Sequence, residues 1–265
     1  MKKLRAFYFS GTGNTKFVTE FLLDKLSCAF DVKAWDIMGK CDFAREIGEA
    51  DVVLIAFPIY GSAPPIPMRN FAVKYSAQLR GKTVAIAETQ YFFSGDGAAS
   101  IGRTLQKNGA IVAYAEHFNM PNNLADNSFF KVRNGGELHG IMDKVTHRME
   151  AFANKIISGK KFRRGFNPLS HAVGYYGQRK WWRLHENAKR SQLKVDSNRC
   201  VGCGLCVKNC PTNNLILGDG CAKGQDRCVF CYRCINLCPK NAITLFGSKV
   251  VSQYKGISNS NGLKH

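Results

Sequence analysis

The first 157 residues alternate two kinds of hydrophobic pattern. Short β-rich runs at 4–9, 32–36, 51–57, 83–88 and 111–117 are separated by stretches with helical spacing, among them 16–26, 68–78, 98–107 and 137–157. Five such runs alternating with helices predict an α/β fold, a doubly wound parallel sheet of five strands. Val52-Val53-Leu54-Ile55-Ala56 is continuously apolar, as a strand covered on both faces requires.

Beyond residue 157 the pattern changes twice. Residues 158–195 form a basic, aromatic connector that includes Trp181 and Trp182, and 196–247 are dominated by cysteine. Residues 248–265, rich in Ser, Asn, Gly and Lys, are expected to form a loosely held tail. A chain of 265 residues, 45% apolar, accommodates a domain of about 150 residues and a smaller companion. Met1-Lys2-Lys3 precedes an apolar run that Arg5 interrupts and a Gly-rich turn ends, which reads as a first strand rather than a secretory leader. No window approaches the roughly 18–20 apolar residues of a membrane span. The expected setting is the cytoplasm.

Nine of the eleven cysteines lie between Cys200 and Cys238, and clustered cysteines in a cytosolic protein more often bind metal than form disulfides. Cys200-x2-Cys203-x2-Cys206-x3-Cys210-Pro211 is repeated as Cys228-x2-Cys231-x2-Cys234-x3-Cys238-Pro239, and the similarity continues past the prolines into Asn-Leu-Ile-Leu and Ala-Ile-Thr-Leu. Three cysteines two residues apart let one tight loop wrap three corners of an iron–sulfur cubane, while the fourth is carried to the other cluster. The expected ligand sets are therefore crosswise: Cys200, Cys203, Cys206 and Cys238 for one [4Fe–4S] cluster, and Cys228, Cys231, Cys234 and Cys210 for the second. Zinc sites favour two paired Cys-x2-Cys units instead. Cys221 fits neither set and reads as a spare thiol, and Cys28 and Cys41 read as structural. The module resembles bacterial-type two-cluster ferredoxins over about fifty residues, which implies a small α+β domain.

Ser10-Gly11-Thr12-Gly13-Asn14-Thr15 follows the first strand and opens the first helix. Its hydroxyls, backbone amides and helix dipole make a nest for a terminal phosphate. Lys16 stands where a dinucleotide fingerprint needs its third glycine, and the Gly-Lys-Ser/Thr of a nucleoside-triphosphate loop is absent. Ligands of open α/β sheets sit at the C-terminal strand ends, so the loops Pro58-Ile59-Tyr60-Gly61 and Thr89 to Gly97 are the next candidates. Tyr60 is the better partner for a flavin ring. Phe92 and Phe93 either stack on the ring or pack internally, and Asp96, beside Ser94 and Gly95, either bonds the ligand or holds its turn. The hydroxyl-rich loop looks like the phosphate loop of flavodoxins, which implies FMN. Met120-Pro121-Asn122-Asn123 is similar to a segment of flavodoxin–ferredoxin fusion proteins of anaerobes, and the whole chain resembles that family. The resemblance implies FMN in front, two [4Fe–4S] clusters behind, and electron traffic between them.

Charge adds one further expectation. Lys and Arg number 38 against 19 acids, and residues 155–194 alone hold eleven of them against the single acid Glu186. The connector reads either as a solvated helix wrapping the domain junction or, because a basic surface suits an acidic redox partner, as a docking face. Contact with an anionic membrane or with nucleic acid, through Trp181 and Trp182, carries less weight. The six histidines form no ligand pattern, and no nucleophile–base or carboxylate pair predicts catalysis. The expected function is an electron relay between FMN and the clusters for a partner protein. The alternative is an FMN-dependent reductase of a quinone or nitro compound, with Pro64-Pro65-Ile66-Pro67 bordering its pocket.

Overall fold

A computed structural model describes residues 1–257 of the chain. The N-terminal part runs β1 (Lys2–Tyr8), α1 (Asn14–Leu26), β2 (Phe30–Asp36), α2 (Phe43–Glu49), β3 (Val52–Pro58), α3 (Ile66–Lys74), α4 (Ser76–Leu79), β4 (Thr83–Gln90), α5 (Gly97–Lys107), β5 (Ile111–Asn119) and α6 (His139–Ile157). All strand pairings in this sheet are parallel, in the order β2-β1-β3-β4-β5, the doubly wound order of flavodoxin-like folds. A sixth strand, β6 (Phe162–Arg163), extends the sheet beyond β5, so the sheet has six strands where the sequence pattern predicts five. A two-residue strand leaves no readable alternation.

Alternation in β1 shows why the sheet is covered on both faces. Leu4 and Ala6 join Leu22, Leu26, Met149 and Phe152 from α1 and α6. Phe7 on the other face joins Ile47, Phe71 and Ile101 from α2, α3 and α5. Each Leu, Ile, Phe or Met among them contributes about 1.5–3 kcal/mol through burial. Arg5 shares that second face at 2% exposure, and its guanidinium donates to the Asp31 carboxylate at 2.7 Å. The strand order reverses between β1 and β3, so the loops following these two strands diverge and open a crevice between them.

The connector is folded onto this domain. After β6 come α7 (Pro168–Gly174), a π-type turn at Tyr175–Arg179 and α8 (Lys180–Lys189). The Asn167 side chain caps α7 by accepting from the Ser170 amide at 2.8 Å, and Pro168 occupies the first turn. Arg179, 2% exposed, donates to Asp96 Oδ1 at 2.6 Å. Trp182 is also buried and packs on Phe230 at 4.9 Å between ring centroids.

The cysteine module comprises β7 (Lys194–Val195), α9 (Leu205–Asn209), β8 (Leu215–Gly218), β9 (Cys221–Gly224), α10 (Arg233–Leu237) and β10 (Ile243–Thr244). β7 pairs antiparallel with β10, and β8 with β9, which ties the start of the module to its end. The expected loose tail is corrected as far as residue 257. The Val251 amide donates to the Ala125 carbonyl at 2.8 Å, Gln253 Nε2 donates to the carbonyls of Ile235 and Cys238, and Tyr254 is 3% exposed. Polar composition hid a segment that is held by backbone bonds and one aromatic anchor. The rest of that expected tail lies outside the described residues.

Candidate functional site

At the β1/β3 switch point an open cleft is lined by Ser10, Gly11, Thr12, Asn14, Thr15, Pro58, Ile59, Tyr60 and Thr89. The same cleft takes in Gln90 and Tyr91, and the 120–124 segment that follows β5. Gly13 precedes α1 with φ 102°, a left-handed conformation that glycine adopts without a Cβ penalty. Loop hydroxyls are held by other residues of the cleft: Thr15 and Thr89 share a 2.7 Å hydrogen bond, and Thr12 accepts from Asn123 Nδ2 at 2.8 Å. Asn14 donates to the Pro121 carbonyl and accepts from the Tyr254 hydroxyl at 2.7 Å.

Two polar atoms in this cleft are buried without a partner, Tyr60 Oη and Gln90 Oε1. Burial raises the Tyr60 hydroxyl well above its ordinary pKa, with the neighbouring Cys231 as the next cause. A phosphate nest, an aromatic wall and unpaired polar atoms fit a ligand that has an anionic end and a flat polar-edged ring.

Seven expected contacts do not line the cleft, among them Gly13, which shapes the loop at the start of α1. Phe92 and Phe93 project into water at 81% and 58% exposure, because the loop turns outward after Tyr91. Ser94 is buried and donates to Glu88 Oε1 at 2.5 Å. Gly95 packs against α7, and Asp96 is fully buried among Arg179, Arg103 and His171. Burial pushes the Asp96 carboxyl up, and these partners together outweigh it and hold the group below its usual range. Gly61 backs onto Trp182. Pro64, Ile66 and Pro67 border other grooves, not this cleft.

The cysteines gather around two further cavities. One is lined by Cys200, Cys203, Cys206 and Cys238, and the other by Cys210, Cys228, Cys231 and Cys234. Among the described residues no three Cys, His, Asp or Glu side chains converge on a single-ion site. Four thiols spread around a cavity suit a cluster, whose irons are spaced by sulfide. Burial pushes the Cys228 thiol up to about 12 and raises Cys231 and Cys234 as well, so iron must displace protons there on loading. Backbone amides point at the sulfurs in register. Asn214 donates to Cys210 at 3.2 Å, and Ala242 donates to Cys238 at 3.3 Å. Cys221 lies outside both sets, beside Cys200, whose thiol is lowered first by the Ala222 and Gly202 amides.

The two repeats differ where they meet the sheet. Gly202 and Gly204 have φ of 65° and 72°, and their counterparts 28 residues later, Phe230 and Tyr232, hold φ of 60° and 59°. Left-handed backbone costs a non-glycine residue about 1–2 kcal/mol. Packing offsets it here. Phe230 lies between Trp182 and Phe246, and the Tyr232 hydroxyl donates to Asp126 Oδ1 at 2.8 Å. Asp126 Oδ2 accepts from the amides of Leu245, Phe246 and Gly247. The second repeat thereby seats its loop on the cleft: a Cβ added at Gly11 would stand 3.0 Å from Tyr60 Oη and 3.1 Å from Cys231 Cβ. Arg233, which donates to the Ser10 and Gly11 carbonyls, escaped sequence reading because it fills a variable position of the Cys231-x2-Cys234 spacing, and Asp126 because it belongs to no motif.

The family model described as 4Fe-4S binding domain matches residues 193–216 and 223–244, one stretch per repeat. No curated protein matches the chain. Among solved structures, the two-electron reduced flavodoxin of Megasphaera elsdenii is 21% identical over 57% of this chain and 98% of its own, with a TM-score of 0.42. A Fusobacterium nucleatum flavodoxin bound to flavin mononucleotide is 16% identical over 60% of this chain and 99% of its own, with a TM-score of 0.42. The fold assignment itself rests on the strand order. The chain joins a flavodoxin-like α/β domain to a pair of 4Fe-4S-binding motifs, an architecture built for electron transfer.

Proposed function

We propose that this protein is an electron relay, holding FMN in the sheet cleft and two [4Fe–4S] clusters in the cysteine cavities, and serving a partner protein. One observation carries the reading: the Cys231 loop lies directly against Gly11 and Tyr60, which line the cleft. When bound, FMN supplies a two-electron store and each cluster a one-electron one, so their union joins paired to single-electron traffic.

The side chains have holding and shielding roles. Ser10, Thr12 and Thr15, with the amides opening α1, hold the phosphate. Tyr60 Oη and Gln90 Oε1 take polar atoms of the ring or its side chain. The Tyr60 ring excludes water between cleft and cysteines, and the amides on Cys210 and Cys238 favour the charged cluster. Cys203 is exposed, with Val201 at 58% and Leu205 at 43% beside it. That edge is the exit, and the exposed Lys208 and Lys240 nearby suit an acidic partner. The functional units are residues 1–157 and 196–247, joined by 158–195, and the setting is the cytoplasm.

Anaerobic mixing of the reduced holoprotein with one-electron acceptor proteins, quinones and nitro compounds tests this. Rapid reduction of an acidic protein acceptor without steady turnover of the small molecules is the expected result. Sustained quinone or nitro turnover, with no protein reduced, would make the chain a reductase instead.

A further inference from the structure

Part of the connector's polar set faces the protein: Arg179 is paired with Asp96, Glu186 accepts from Arg69 at 2.5 Å, and Gln178 accepts from Ser62 at 2.8 Å. Apart from Trp182 and Phe166, which pack inward, several of its apolar side chains face water, with Leu169 73% exposed, Tyr176 72% and Leu184 73%. Leu169, Val173 and Tyr176 follow an i, i+4, i+7 spacing and so form one stripe.

The loop between β4 and α5 enlarges this face. Phe92 and Phe93 stand out from it, and its base packs on α7, where a Cβ added at Gly174 would stand 3.0 Å from the Ser94 carbonyl. Asp96 locks the two elements together through His171 and Arg179. The surrounding charge has one sign. Residues 155–194 carry eleven Lys and Arg, and their single acid, Glu186, is buried and paired. The other nearby acids, Glu88, Asp96 and Glu116, are buried too.

We propose that this face rests on the headgroup region of an anionic lipid bilayer. The stripe and the Phe92-Phe93 tip enter the boundary between headgroups and acyl chains, and exposed cations such as Lys180 and Arg163 meet lipid phosphates. Protein interfaces are depleted in Lys at their cores and offer hydrogen-bonding rims. Separate aromatic and aliphatic tips set among unpaired cations match an interfacial anchor instead.

Sedimentation of the full-length holoprotein with vesicles tests the proposal, using phosphatidylcholine alone or mixed with phosphatidylglycerol. Binding is expected with the mixed vesicles only. Lys180→Gln weakens it about fivefold, and Leu169→Ser or Phe92→Ser about tenfold or more. All three sites are exposed, and unchanged visible spectra verify that each variant is folded. Failure to sediment with either vesicle overturns the proposal. So does binding that the apolar variants leave unchanged, including the case in which they impair only reduction of an acidic protein, which would make the face a protein dock.

Discussion

Arg233 Nη2 donates to the Ser10 carbonyl at 2.6 Å, and Nε donates to the neighbouring Gly11 carbonyl at 2.9 Å, joining the second cysteine loop to the start of the phosphate loop. A third bond reaches Asn209 at the end of α9. Charge-assisted bonds of this kind are worth about 1.5–3 kcal/mol each. Arg233→Ala is expected to keep its full iron content and lose roughly 3 kcal/mol in chemical unfolding. FMN affinity should fall about tenfold, because the loop loses its rear anchor. Fluorescence titration of free flavin measures the second effect.

Gly11→Ala makes the converse change. The new methyl group meets the Cys231 carbonyl and Tyr60, so either the cleft or the seat of the cysteine loop must shift. FMN binding should weaken by at least tenfold, with both iron sites filled. Gly13→Ala meets no neighbouring atom but imposes left-handed strain of about 1–2 kcal/mol, so it should lower stability by that amount and weaken FMN binding less than Gly11→Ala does.

The crosswise ligand sets predict a pattern of non-additivity. Cys210→Ser and Cys231→Ser strike one cavity, so the double variant should retain about four irons, as each single one does. Cys210→Ser with Cys203→Ser strikes both, and iron should fall near zero. Iron analysis of anaerobically reconstituted protein distinguishes this from ligation within each motif, which gives the opposite pairing.

Glu88 and His117 predict how stability varies with pH. Burial raises the Glu88 carboxyl to about 8 and lowers the His117 imidazole to about 4, with Oε2 and Nε2 3.3 Å apart. Glu88 binds more protons folded than unfolded between about 4.5 and 8, so its contribution falls as pH rises through that window. His117 binds fewer between about 4 and 6.5, so its contribution rises there. The two oppose each other up to about pH 6.5, and above it only the Glu88 loss remains. Thermal unfolding should show a shallow plateau below pH 6.5 and a decline toward pH 8, which Glu88→Gln should remove.

Much of this architecture was legible because its signals are local. Hydroxyls and glycines between a strand and a helix mark the loop that lines the cleft, and spacing alone marks the two cysteine sets. What stayed hidden depends on contacts between distant segments. Phe92 and Phe93 sit in a loop at the correct end of the sheet, yet the direction of the loop turns them away. Asp96 is claimed by Arg179, 83 residues later. Aromatic Phe230 and Tyr232 at left-handed positions make sense only once Trp182 and Asp126 are seen beside them. Tyr254 reaches Asn14 across 240 positions from a segment whose composition suggests no structure.

The most direct test is an anaerobic reductive titration of the holoprotein, with iron, sulfide and FMN determined on the same sample. The relay predicts roughly eight irons, eight sulfides and one FMN per chain, taking up about four electrons, two in the flavin and one in each cluster. A preparation that holds zinc in its cysteine cavities, or that binds no flavin after reconstitution, would contradict it.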